Sequence, residues 1–373
     1  MNTTFQRLLR VFGVLRHAHG LRVKPFIFAF LFGFIRLLVA ASMALDRLFF
    51  PALRRVKAKN PIVIVGNPRT GTTFLQRFLS DAGFGAGMEL FLMLYPSLIL
   101  QAILKPLLPR LEKLNPAQFH SSAVHETSLG SVETDDVALL FRYLDGFFLY
   151  GFFLAFDDEE LLDQFDPRIR DTSSRDFDWL EALWTRSLVK HNAERNIAKL
   201  FTLSTRLPQF LKRFPEARIL YMVRDPLDTI PSTMSLVTGP LDKAFGFWKK
   251  PQEERDRFLR RLYNGQVKIL ERFHDDWVNG RIDRSRVYFV RYDRMMAEFE
   301  NVVSEMCAFL GHPLTPELAA QVQKIGAKQR AYKSEHKYDL SKYGLTEEQI
   351  RRDCHFLYET FLPPLPLAAN SGE

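Results

Sequence analysis

Hydrophobic positions change their period along the chain, and each change predicts a different element. Phe5, Leu8, Leu9, Phe12 and Leu15 recur at helical spacing with Arg7, Arg10 and Arg16 between them, the pattern of a basic amphipathic helix. Pro25 to Leu45 is apolar throughout except for Arg36 and the small Ser42. Its phenylalanines at 26, 28, 30, 32 and 34 alternate as in a strand, but the residues between them are apolar too, so length and all-round apolarity predict a helix in lipid. After Asn60 the pattern shortens. Ile62 to Val65 is a β-branched run expected of a central parallel strand, and Thr72 onward returns to helical spacing through Phe74, Leu75, Phe78 and Leu79. Ile219 to Val223 predicts a second such strand. Phe141 to Phe156 is too aromatic for a surface and too interrupted by Arg142 and Asp145 for a span; it predicts a core helix, with a lipid-facing lid as the alternative. Two strand-loop-helix units imply a doubly wound α/β fold, with a mainly parallel sheet flanked by helices and a membrane-associated helical segment before it.

Composition narrows this picture. The 373 residues are 47% apolar and 25% charged, enough for an enzyme-sized core and unlike a disordered chain. Residues 1–60 hold eleven Lys/Arg and one acid, Asp46, a charge of +10 that leaves −2 on the rest of a chain totalling +8. A nucleic-acid partner is disfavoured, because its basic stripe belongs on the folded body. Cys307 and Cys354 lie in no Cys/His array, so neither a disulfide framework nor a metal site is expected.

The basic segment suits anionic lipid headgroups. The 25–45 run just reaches spanning length with a mid-segment arginine, so a monotopic or re-entrant anchor is expected ahead of a single span, with Arg36 snorkelling to headgroups. Basic residues are denser after the run, which places the body on the cytoplasmic face of a membrane. A lumenal Golgi enzyme on a signal anchor is the alternative for location, and a buried core hairpin the alternative for structure. A cleavable signal peptide fits poorly, since no A-x-A site follows.

The sequence PIVIVGNPRTGTTFLQRFLSDAG reads as strand, Gly-bounded loop, helix, the geometry of a phosphate cradle. Against G-x-x-x-x-G-K-[ST], Gly66, Gly71 and Thr73 match, but Thr72 takes the lysine position. That lysine reaches the β/γ-phosphates in NTPases, so its loss argues against ATP or GTP hydrolysis. Arg69 puts a cation inside the loop instead.

PRTGTT resembles the 5′-phosphosulfate loop of sulfotransferases, which use 3′-phosphoadenosine-5′-phosphosulfate (PAPS). The family's second signature, a strand followed by Arg and, eight residues later, Ser, is matched by Arg224 and Ser232 after Ile219 to Val223. HKYDLSKYGLTEEQI (His336 to Ile350) is similar to a segment of the broad, largely bacterial branch. The resemblance implies a P-loop-like sulfotransferase domain over 61–362, with 90–195 as its acceptor-binding helical region, residues 1–60 before it and a frayed tail at 363–373. It implies that Arg69, Thr70, Gly71, Thr72, Thr73 and Phe74 bind the nucleotide, that Arg224 and Ser232 contact its 3′-phosphate, and that Tyr292 lies near the adenine. No metal belongs to that chemistry.

Sulfuryl transfer needs a base, cations and in-line positioning. Arg69 corresponds to the loop's basic residue. Lys199 falls at the lysine of an L-K-S-P element whose Ser-Pro is here Leu200 and Phe201; a solvated helix-end lysine is the bland reading. Glu89, in GAGMELFLMLYPS, resembles the glutamate after the loop helix, and its apolar neighbours predict a raised pKa. The alternative base is His125 in VHETSLGSVETDDVALL, with Glu133, Asp135 and Asp136 to orient or replace it, although three close acids also read as a helix N-terminus. Arg224-Asp225-Pro226 could be a plain surface ion pair. Thirty-four phenylalanines and a membrane address point toward an apolar hydroxyl acceptor such as a lipid. A P-loop kinase-like phosphotransferase and a non-catalytic membrane scaffold remain the rival functions.

Overall fold

The computed structural model describes residues 3–113, 128–331 and 339–363. Two helices, α1 (Thr4–His17) and α2 (Lys24–Phe49), precede β1 (Ile62–Val65) and α3 (Thr72–Asp81). The sheet is completed by β2 (Ala86–Gly87), β3 (Asn196–Lys199), β4 (Arg218–Val223) and β5 (Val287–Arg291). Its order is β2-β3-β1-β4-β5 and every pairing is parallel.

All four β1 residues are buried because both sheet faces are covered. Val63 and Val65 enter the larger core with helices Ser173–His191, Pro226–Phe245 and Gln252–Val278. Ile62 and Ile64 enter the smaller one with α3, Phe299–Leu310 and Pro316–Ala331. The expected α/β architecture is thus present, and β1 lies where the strand order reverses, so its carboxyl end opens at the crevice where such folds bind ligands. Register sets Lys199 opposite Ile64 and Tyr221 opposite Val65, bringing three strand ends to that crevice.

The 141–156 stretch packs into the core from Leu144 onward, with Phe141 left exposed. Helices Asp136–Tyr143 and Phe147–Phe152 and a 3-10 turn at Leu154–Phe156 bury Leu149, Tyr150 and Leu154 completely.

The amphipathic reading of α1 needs correcting. Its buried face carries Val11, Val14 and Leu15, and helical spacing puts Arg7 on that same face. Arg7 donates to the Leu144 and Tyr143 carbonyls at 2.8 and 3.0 Å and lies 3.5 Å from Asp145. Arg10 pairs with Asp157 and Glu159 at 3.1 and 2.6 Å. Both cations are bound by the body, where the sequence suggested lipid. α2 behaves otherwise: only Pro25, Val39, Ser42 and Asp46 are buried along its 26 residues, and it is long and apolar enough to cross a membrane. Asp46 fastens it to the body, accepting from Arg186 Nε at 3.0 Å, Ser97 Oγ at 2.8 Å and the amides of Leu98 and Ile99 at 3.1 Å.

Candidate active site

The loop between β1 and α3 has a backbone that few residues can adopt. Gly66 has φ +140°, and a Cβ there would stand 2.6 Å from the Met222 carbonyl oxygen, so only glycine lets β1 turn this close to β4. Gly71 opens α3 at φ +93° with no side-chain cap, leaving the first-turn amides for another acceptor. Arg69 is itself left-handed, φ 72°, a conformation costing about 1–3 kcal/mol in a non-glycine residue. Two contacts hold it there. Its Nε donates to Ser232 Oγ at 2.9 Å, and Arg224 donates to its carbonyl at 3.1 Å. The two matched motifs, 155 and 163 residues apart by these contacts, therefore meet at one loop.

Arg224 also lies 4.0 Å over the Tyr292 ring and 3.2 Å from Asp228. Tyr292 flanks Gly71, where a Cβ would meet its ring at 3.2 Å. Asp225 caps helix Pro226–Phe245 by accepting from the Leu227 amide at 2.9 Å and takes the Tyr358 hydroxyl at 2.6 Å. Thr70 ties its hydroxyl to the Asn67 carbonyl at 2.8 Å, Thr72 is buried as the first residue of α3, and Phe74 packs edge-on to Phe299.

Lys199 is not a solvated lysine. It ends β3, is 6% exposed, and donates from Nζ to Thr73 Oγ1 at 2.9 Å. Burial lowers its pKa, opposed by Glu133, Asp135 and Asp136. Asp135 braces this strand end: it accepts from the Lys199 amide at 2.9 Å and Trp184 Nε1 at 2.8 Å, and its own amide donates to the Lys199 carbonyl. Burial pushes the Asp135 carboxyl up to about 7 and raises Asp136 as well. Asp136 accepts from the Phe201 amide at 2.9 Å and from Thr134 Oγ1. The helix N-terminus reading of these acids holds, but their role as the frame of Lys199 escaped the sequence, which gives no sign that Trp184 and Thr202 face them.

Glu89 reverses its expected shift. Burial does push its carboxyl up, but a hydrogen bond from His191 and the charge of Lys190 outweigh this and hold it down at about 2. Both partners bind Oε1, at 3.1 and 3.2 Å, while Oε2 is buried with no hydrogen-bond partner. His125 lies outside the described residues. Among those residues, no group of three or more His, Cys, Asp or Glu is placed to hold a metal ion.

A glycine-bounded strand-to-helix loop at the switch point of a parallel sheet, with Arg69, Lys199 and Arg224 gathered at it, gives the chain the α/β architecture of phosphate-loop proteins. The chain belongs to the sulfotransferase family, whose profile matches residues 61–316. It is 27% identical over 151 residues to sulfotransferase 2B1 of Homo sapiens, a match covering 39% of each, so the chain spans about two fifths of that curated relative. Its fold is similar to sulfotransferase STF1 of Mycobacterium tuberculosis H37Rv (TM-score 0.71, 19% identity, 94% of this chain and 91% of that one). Sulfotransferase STF9 of Mycobacterium avium is also similar (TM-score 0.64, 17% identity, 86% and 81%).

Proposed function

We propose that the protein transfers a sulfuryl group from PAPS to the hydroxyl of an apolar acceptor at a membrane surface. The observation that carries the donor assignment is the link Arg224–Arg69–Ser232, which joins the two motifs around one uncapped helix N-terminus. The residues fit the nucleotide: α3 offers unclaimed amides, Gly66 and Gly71 allow close backbone approach, and three cations supply charge. Thr70 to Thr73 and Arg69 would hold the 5′ side, Arg224 and Ser232 the 3′-phosphate, and Phe74 and Tyr292 the ring. PAPS, when bound, supplies an activated sulfuryl group whose departure leaves a phosphate.

Lys199 and Arg69 stabilise negative charge as the sulfuryl group departs, and low exposure strengthens Lys199 in that role. Glu89 is the base we favour, from its place after the loop helix: Oε1 is fixed by Lys190 and His191, and Oε2, buried and without a hydrogen-bond partner, would have to be uncovered to take the acceptor's proton. Its low pKa makes it a weak base, so orienting the hydroxyl is the larger part of its task. Residues 90–195 are the region we assign to the acceptor side.

The membrane assignment rests on α2. Because α1 before it and β1 after it both belong to one body, their packing supports an interfacial, monotopic anchor on the cytoplasmic face over a single span. Differential scanning fluorimetry with 3′-phosphoadenosine-5′-phosphate (PAP) tests the donor, and carbonate washing of membranes tests the anchor. A chain recovered wholly in the soluble fraction would remove the latter.

A further inference from the structure

The α1–α2 hairpin forms a groove of about 450 Å³ that the transfer site does not use. Phe5 and Leu8 of α1 and Phe32 and Leu37 of α2 make apolar walls, and two cations stand in it, Arg36 of α2 and Arg142 of helix Asp136–Tyr143. Among the described residues neither is in an ion pair. Arg36 lies 5.2 Å from the Phe32 ring; Arg142 lies 4.7 Å from the Trp179 ring, its Nε buried without a hydrogen-bond partner. The contrast with α1 is plain, since Arg7 and Arg10 both meet carboxylates. Burial and the nearby Arg142 charge each disfavour the protonated form of Arg36. Two half-buried like charges without a counter-ion destabilise the site until an anion joins them.

We infer that this groove binds one anionic glycerophospholipid, its phosphate between Arg36 and Arg142 and an acyl chain along the α1–α2 cleft. The assignment rests on the interfacial reading of α2 and adds a headgroup preference to it. Charge complementarity selects the anion, and the apolar walls select an amphiphile over a free phosphate, which would leave them wet. Because Arg142 comes from the body, the site is complete only with the hairpin docked, so lipid binding would also hold the hairpin in place.

The test uses the full chain with dioctanoyl-phosphatidylglycerol as monomeric probe and dioctanoyl-phosphatidylcholine as its neutral control, read by tryptophan emission. Arg142 touches Trp179, so the anionic probe should shift the emission and Trp179→Phe should abolish that signal. Arg36→Gln should weaken binding about fivefold, and Arg36→Gln with Arg142→Gln about thirtyfold, from roughly 1 kcal/mol per basic residue at a lipid surface. The single variant guards against misfolding, as Arg36 is half-buried and, among the described residues, makes no ion pair. Equal affinity for both probes, competition by inorganic phosphate at matched concentration, or unchanged affinity in the double variant would overturn the site. Failure of the wild-type chain to sediment with phosphatidylcholine vesicles, with or without phosphatidylglycerol, would instead overturn the interfacial reading beneath it.

Discussion

Replacing Lys199 with methionine should separate stability from activity. The lysine is 6% exposed, and among the described residues its ammonium makes one hydrogen bond, to Thr73 Oγ1, and no ion pair. A charge so placed pays desolvation without a close counter-ion, and a chain of similar length without the charge fills the same space. Stability should therefore stay within about 1 kcal/mol of wild type or rise. Turnover should fall by about 10²–10³, the usual loss when one preorganised donor to developing charge is removed, equivalent to about 3–4 kcal/mol. Urea denaturation and single-turnover sulfation, measured on the same preparation, give both quantities. A variant destabilised by more than about 2 kcal/mol that keeps its turnover would refute the argument, since Lys199 would then be a structural residue. Its lowered pKa adds a check by pH: turnover should decline with rising pH below the ordinary lysine range, and the methionine variant should lose that limb.

Glu89→Gln should lower turnover by about 10²–10⁴ with PAP affinity retained and stability changed by no more than about 1 kcal/mol, since Lys190 and His191 are about a third exposed; equal loss in His125→Ala alone would move the base there. Gly66→Ala should cost more than about 1–3 kcal/mol, because its Cβ would overlap the Met222 carbonyl in addition to the strained backbone, and a wild-type melting curve would disprove the loop geometry. Asp135, raised to about 7, holds a proton in the folded protein that the unfolded chain loses near 4, so its stabilisation is complete below that lower value and is lost as pH rises through about 7. Denaturation midpoints should fall between mildly acidic and mildly alkaline pH, less steeply in Asp135→Asn. Asp46→Ala leaves Arg186 buried without its carboxylate and should cost about 3–5 kcal/mol, freeing α2 to limited proteolysis.

What could be read from the sequence was what lies contiguously in it. β1, the glycine-bounded loop and α3 occupy adjacent residues, so periodicity and turn chemistry exposed them together. The Arg224–Ser232 spacing was legible because Arg224 follows β4 directly and Ser232 lies in the helix that comes next. Glu89 went the other way because its two partners, Lys190 and His191, lie about a hundred residues on, at the end of helix Ser173–His191, and local apolarity said nothing of them. Arg7 likewise looked like part of a lipid-facing stripe until Asp145, from a distant turn, claimed it. Asp135 beneath Lys199 depends on Trp184, 49 residues away, and such pairings are set by tertiary packing that no local pattern encodes.

The claim that two motifs make one PAPS site is tested most directly by thermal shift of the full chain with PAP against ATP, in wild type and in Ser232→Ala. Stabilisation by PAP should lie well above that by ATP, and should fall in the variant because Arg69 loses the Ser232 hydroxyl at 2.9 Å. Equal stabilisation by the two nucleotides, or a preference for ATP, would contradict it.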